Sequence, residues 1–178
     1  QEGVLNGHYQ PGGFAKARKI KQLQDGVSLA VHSKDHTPTA AGNLKVGDLI
    51  TGYGTAMSVK HFYEIWGGDV KGKRVIIQGW GNVGSGAAYY LSQMGANIVG
   101  IIDIAGGLIN PNGFSFKEII DLFNAKDGNA LNAENMLSFE DTNKAIWSMG
   151  AEVFIPAAAS RLVNSSQLDQ MLDHGLEL

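Results

Sequence analysis

The sequence contains no cysteine. That absence rules out a disulfide framework, a thiolate nucleophile and thiolate metal ligation, and it fits a reducing compartment. No stretch stays apolar for the ~18 residues that a transmembrane helix needs. Basic charge is also scarce: 14 Lys and Arg stand against 17 Asp and Glu, for a formal net charge of −3. This balance argues against a nucleic-acid partner held by broad phosphate neutralisation. The one basic cluster, Lys16, Arg18, Lys19 and Lys21, reads as a solvated helix face. No secretory signal opens the chain, which starts at Gln1 rather than methionine. The expectation is a processed or excised piece of a cytoplasmic protein with no membrane partner. Internal repeats and low-complexity segments are missing as well.

What the chain does have is glycine, 24 in 178 residues, in a background that is 44% hydrophobic and 17% charged. That composition belongs to an ordinary globular domain with matter enough for a core. The glycines matter most in Val75-Ile76-Ile77-Gln78-Gly79-Trp80-Gly81-Asn82-Val83-Gly84. A β-branched run breaks into G-x-G-x-x-G and opens into a segment with Val83, Ala87, Leu91 and Met94 at helical spacing, closed by Gly95. Strand, tight turn and helix N-terminus in that order hold a dinucleotide pyrophosphate, because free N–H groups and the positive helix end face the anion. Asp103 lies 19 residues past Gly84, after the apolar run Ile98-Val99-Gly100-Ile101-Ile102. A carboxylate at that place accepts hydrogen bonds from the adenosine ribose hydroxyls.

Around this unit the pattern alternates. A helix is predicted from Asp48 to about Trp66, with Ala56, Val59, Tyr63 and Trp66 on one face. Strands are predicted at about 74–78 and 97–102, with a helix at about 82–94 between them. Asn110-Pro111-Asn112-Gly113 is a turn, and Ser115 to Glu118 a capping box, with Phe114 and Ile119 placed as a staple. Phe116, Ile119, Ile120 and Phe123 supply that helix's buried stripe. A helix from Ser138 to Met149, a strand at 152–156 and a last helix capped by Asn164 with Leu168, Met171 and Leu172 follow. Leu176-Glu177-Leu178 reads as the start of a further strand, hence an expected truncation. Earlier, Gln10 to Gly13 is a turn, residues 14–24 a short helix, and His36 to Gly42 a loop. The fold class expected is α/β, a Rossmann-like doubly wound parallel sheet with helices on both faces. Residues 1–47 are expected to be a residual N-terminal segment or an inter-domain region, and 48–178 the dinucleotide-binding domain.

Thr51-Gly52-Tyr53-Gly54 places two glycines in a helix's first turns, at about 1 kcal/mol each relative to alanine. Close helix packing and close ligand approach explain them equally well. That segment, then Gly79 to Gly84, Asp103 with Gly106-Gly107, Asn110 to Gly113, and Ile155-Pro156-Ala157-Ala158 together resemble the glutamate/leucine/phenylalanine/valine dehydrogenases in order and spacing. The resemblance covers about residues 48–178. It implies a Rossmann-like nucleotide-binding domain of an NAD- or NADP-dependent enzyme that reversibly deaminates an L-amino acid, such as glutamate, to a 2-oxo acid. Carried over by position, it implies cofactor-binding roles for Thr51, Gly79, Trp80, Gly81, Asn82, Val83, Gly84, Asp103, Ile104, Ala157 and Ala158. Two departures stand out: Gly47 where the family often has arginine, and Arg161 where it usually has asparagine.

The family's catalytic lysine and aspartate belong to a separate substrate domain, and nothing in residues 1–47 resembles either motif. No catalytic residue is therefore expected here: the chain binds cofactor without turning over, and the full-length protein is a homo-oligomer acting on a small amino acid. The alternative is a non-catalytic nucleotide-binding regulatory module. A Rossmann methyltransferase is disfavoured by Asn82 and the Thr51–Gly54 segment. His32 and His36 flank Asp35, but the glutamate of an H-E-x-x-H site is missing and Thr37-Pro38-Thr39 reads as loop, so no metal is expected. Asp103 is followed by Ile104, Ala105, Gly106 and Gly107, with no adjacent cation for a 2′-phosphate. NAD is expected over NADP.

Overall fold

Continuous β-branched burial makes the centre of the sheet. In a computed structural model that describes residues 13–178, β1 (Arg74–Gln78) is buried from Val75 onward. This is the pattern of a strand covered on both faces. It pairs in parallel with β2 (Asn97–Asp103) on one side and β4 (Val153–Pro156) on the other. The order is β3-β2-β1-β4, and β3 (Gly106–Ile109) runs antiparallel to β2. The Rossmann-like α/β plan with covered faces holds, but the sheet is mixed rather than wholly parallel.

The unexpected strand has a physical origin. Only Ile104 and Ala105 separate the Asp103–Gly106 pair, so β2 folds straight back on itself. Two glycines give Gly106-Gly107-Leu108-Ile109 little intrinsic strand preference. Its conformation comes from its surroundings, since a Cβ on Gly107 would fall on the Thr142 side chain and the Ile101 carbonyl.

The described chain forms two compact units, one up to Leu49 and one from Ile50. In the first, α1 (Gly13–Val27) is longer than the 14–24 helix expected, and Lys19 and Lys21 on it are exposed. Of the turn expected at Gln10–Gly13, residues 10–12 lie outside the described residues and Gly13 begins α1; the side chains of Lys16 and Arg18 also lie outside them. Lys34–His36 forms one 3-10 turn, with His36 Nδ1 3.1 Å from Ser33 Oγ. Among the described residues no group of three or more His, Asp or Glu side chains is placed to hold a metal. Among the same residues no helix is long and apolar enough to cross a membrane.

α2 spans Val46–Trp66, two residues earlier than expected, so Asp48 is not its cap. It sits in the first turn, where its carboxylate accepts the Lys45 N–H at 2.9 Å. From Ile50 on, the helix buries Ala56, Val59 and Tyr63 against α3 (Asn82–Gln93), α4 (Phe116–Ala125) and the face of the sheet that carries Val75, Ile77, Ile98 and Ile101. Trp66, expected on this face, is exposed. The opposite face presents Ile76, Val99 and Ile102 to Ile146, Trp147 and Met171. These come from a 3-10 turn (Ile146–Ser148) that follows α5 (Phe139–Ala145), and from α6 (Ser165–Asp173). Each such side chain contributes about 1.5–3 kcal/mol by leaving water.

The expected caps form: Ser115 with Glu118, and Asn164 with Gln167, are both reciprocal capping boxes. Exposure departs from expectation at Phe116, Leu168 and Leu172, which lie outside the core. Residues 176–178 do not become a strand. They do lie along β4, with Glu177 and Leu178 N–H donating to the Glu152 carbonyl and Phe154 N–H donating to that of Leu178. The Glu177 carboxylate accepts from Lys73 Nζ at 2.7 Å and the Tyr63 hydroxyl at 2.8 Å. Those bonds, Lys73 first, hold its carboxyl below the usual range, while burial and then Glu177 push the Tyr63 phenol up.

The two early glycines of α2 separate cleanly. A Cβ on Gly52 would meet Gly86 Cα of α3 at 2.7 Å, whereas one on Gly54 would meet nothing within 4 Å. Gly52 is therefore a helix-crossing residue. Gly52→Ala is expected to cost about 1–3 kcal/mol and Gly54→Ala to stabilise by up to about 1 kcal/mol. Urea unfolding of the two variants checks this; effects of equal sign would contradict the crossing.

Candidate functional site

The G-x-G-x-x-G segment leaves β1 and enters α3 through a turn whose glycines do different work. Gly79 has φ 92°, and its N–H donates to the Ile102 carbonyl at 2.7 Å. A Cβ there would meet the Ala157 carbonyl oxygen at 2.8 Å, so the segment after β4 closes directly over it. A Cβ on Gly84 would fall on the Gly79 carbonyl oxygen and stand 3.1 Å from Ile77 Cγ2, which lets helix and strand approach. Gly81 differs, because its backbone is extended and the nearest atom to a Cβ is Asn129 Oδ1 at 3.4 Å. Neither strain nor packing requires a glycine there, which leaves close approach from outside the chain as its physical rationale.

α3 starts at Asn82 with no side-chain cap. Its first N–H groups and its positive end are thus available to an anion. Lys126 adds to this field: its ammonium donates to Asn82 Oδ1 at 2.8 Å and lies 4.5 Å from the Phe123 ring centroid. A cation at a helix N-terminus is unfavourable by itself, so the pair concentrates positive potential where a pyrophosphate would sit.

At the end of β2, Asp103 Oδ2 accepts the Leu131 N–H at 2.7 Å, and Oδ1 has no partner among the described residues. That bond orients the carboxylate and leaves one oxygen for a ligand hydroxyl. Asp103 lines a cleft of about 440 Å³ with Gln78, Gly79, Ile104, Phe139 and Leu162 among its walls. Ile104, Phe139 and Leu162 are exposed apolar side chains. They put non-polar surface beside an oriented carboxylate, an arrangement suited to a nucleoside.

Of the residues expected at the site, Gly79, Asp103, Ile104 and Ala158 line this cleft. Asn82, Gly81, Val83 and Gly84 build the turn and helix start beside it. Ala157 is tied to β1, its N–H donating to the Gln78 carbonyl at 2.8 Å. Thr51 lines neither this cleft nor the cavity beside it. It lies in the second turn of α2 rather than at its start, and its carbonyl accepts the Thr55 hydroxyl. Trp80 belongs to the turn through its backbone: its side chain is fully buried and the indole N–H donates to the Leu122 carbonyl at 3.1 Å, so the ring is core.

Sequence reasoning missed Lys126, Leu131, Phe139 and Gln78. Lys126 stands 23 residues past Asp103, and the C-terminal end of α4, which it caps, brings it to the turn. The absence of a cation next to Asp103 in sequence therefore understated the positive charge at the site. Arg161 adopts φ 63°. Asparagine tolerates this left-handed conformation far better than arginine does.

Comparison with known proteins places this geometry. The model of the Glutamate/Leucine/Phenylalanine/Valine dehydrogenase family matches residues 42–178. An NADP-specific glutamate dehydrogenase of Saccharolobus shibatae is 33% identical over 127 residues, covering 71% of this chain and 29% of that protein. An NAD-specific glutamate dehydrogenase of Staphylococcus aureus is 31% identical over 128 residues, covering 71% and 30%. The chain thus spans about 30% of the length of the curated relatives it matches. A Leu-bound hetero-hexameric glutamate dehydrogenase from Thermus thermophilus superposes with TM-score 0.56 at 24% identity, over 69% of this chain and 28% of that one. Glutamate dehydrogenase 2 from Plasmodium falciparum gives 0.54 at 20%, over 71% and 29%. At such identities the likeness establishes the fold.

Proposed function

The chain belongs to the glutamate/leucine/phenylalanine/valine dehydrogenase family, and from that premise we propose that residues 48–178 form the nucleotide-binding domain of an NAD-dependent amino-acid dehydrogenase. The observation that carries this reading is the convergence of the Gly79–Gly84 turn, the uncapped α3 N-terminus and the Asp103 carboxylate at one end of the sheet. The residues fit a dinucleotide. Gly79 to Gly84 and the first N–H groups of α3 would hold the pyrophosphate, with Lys126 supplying countercharge. Asp103 Oδ1 would accept a ribose hydroxyl, while Ile104 and Phe139 cover an apolar base. Ala157 and Ala158, held against β1, would border the nicotinamide. When bound, the cofactor accepts or gives the hydride; the chain's own residues bind, orient and shield it.

We assign the reversible deamination of an amino acid such as glutamate to a longer protein, because the curated relatives are about three times the length of this chain. In that reading the lysine and aspartate chemistry sits on another domain, and this chain alone binds without turnover. NAD is proposed over NADP because an oriented carboxylate repels a 2′-phosphate, and the Lys126 ammonium stands at the glycine turn, on Asn82.

Titration of the protein with NADH and NADPH, followed by quenching of tryptophan emission, tests both parts. NADH is expected to bind at a single site at least about ten-fold more tightly than NADPH. Equal or tighter NADPH binding would overturn the preference. Amino-acid-dependent NADH production by this chain alone would overturn the division of labour.

A further inference from the structure

Next to the Asp103 cleft lies a second cavity of about 380 Å³ at the ends of β1 and β4, bordered by Gln78, Pro156, Ala158, Ser160 and Arg161. Two features of it have no structural use within the chain. Gln78 is 7% exposed, and its side-chain amide makes no hydrogen bond among the described residues, although it borders both cavities. Among the described residues no sealed side-chain nitrogen or oxygen lacks a partner, so the Gln78 amide is open to the cavity, where a bound group can meet it. Arg161 is one of only two non-glycine residues with a left-handed backbone among those described. The other is Asn135, a residue type that takes this conformation readily. An arginine there is strained, and no carboxylate in the described chain pairs with it.

We propose that Gln78 and Arg161 form an oxyanion subsite beside the cofactor cleft, taking a carboxylate or phosphate group. The guanidinium contributes charge and a planar fork of donors, and the Gln78 NH₂ group a further donor from the cavity floor. Ser160 adds a hydroxyl at the rim. Among the described residues Arg161 is the only charged side chain that lines this cavity, and no carboxylate among them opposes an anion there. The assignment of the anion rests on the dehydrogenase reading: either the carboxylate of the amino- or oxo-acid substrate, or a cofactor phosphate reaching past the shared wall at Ala158.

Amide NMR with ¹⁵N-labelled protein tests this, titrating glutarate and inorganic phosphate separately against chloride at matched ionic strength. The Gln78 side-chain NH₂ and Arg161 Nε signals are expected to shift saturably with one of the two probes. Glutarate as the tighter probe identifies the carboxylate source, and phosphate the cofactor source. Arg161→Asn suits the left-handed backbone and should keep or raise the melting temperature while weakening the anion about ten-fold or more. Arg161→Lys should retain part of the affinity, and Gln78→Leu should weaken the anion as read at the Arg161 Nε signal. No saturable shift with either probe, or shifts unchanged in Arg161→Asn, would overturn the subsite. NADH added to the same samples separates the two readings: NADH binding with no anion response sinks the subsite alone, whereas no NADH binding sinks the cofactor reading itself.

Discussion

Gly84→Ala is expected to cost about 3 kcal/mol or more and to lower the melting temperature by roughly 10 °C. The reason is geometric. A methyl group at this position coincides with the Gly79 carbonyl oxygen and crowds Ile77, and neither can retreat, since Gly79 is pinned by Ile102 on one side and by Ala157 on the other. Relief requires α3 to move off β1, which opens the glycine turn. NADH binding should be lost together with stability. Gly81→Ala separates packing from ligand approach, because nothing closer than 3.4 Å opposes its methyl group and its backbone is ordinary. It should fold with stability within about 0.5 kcal/mol of wild type and still bind NADH more weakly. Thermal melts and NADH titrations of both variants decide the matter. If Gly81→Ala binds as wild type does, the pyrophosphate is not held against that backbone.

Trp80→Ala is expected to cost about 3–5 kcal/mol, comparable with losing a central core residue rather than a surface turn residue. The indole lies fully buried among the side chains that join β1, α3 and α4, and its N–H satisfies the Leu122 carbonyl. Trp80→Phe keeps most of the volume but orphans that carbonyl, for a cost of about 1–3 kcal/mol. Urea unfolding of the two variants should show this graded loss. Two near-neutral variants would place the ring outside the core and return it to the list of candidate ligand contacts.

The contrast between Trp80 and Gly81, adjacent in sequence, shows how far the chain could be read without coordinates. The turn, its helix and the position of Asp103 were legible because each follows from short-range chemistry: backbone freedom, 3.6-residue periodicity and a buried β-branched run. The Ser115 and Asn164 capping boxes were legible for the same reason, since both partners lie three residues apart. What could not be read depends on contacts distant in sequence. β3 exists because β2 turns back after Asp103 and because Thr142 packs on Gly107, not because Gly106–Ile109 favours extension. The Trp80 indole bonds the Leu122 carbonyl of α4, and Lys126 reaches the turn from the C-terminal end of that same helix. Trp66 and Leu172 carried the right periodicity and still face solvent. Periodicity gives an apolar face; it does not say how far along the helix a neighbour covers it.

The central claim is that this chain holds a nicotinamide dinucleotide on the Gly79–Gly84 turn with Asp103 beside it. The most direct measurement is an NADH titration of ¹⁵N-labelled protein followed at the backbone amides. The account predicts one saturable site, with the largest shifts at Gly79, Gly81, Asn82, Val83 and Gly84, and at Leu131, whose N–H binds Asp103. A folded protein that shows no saturable change at these amides, or whose changes cluster away from the turn, would contradict it.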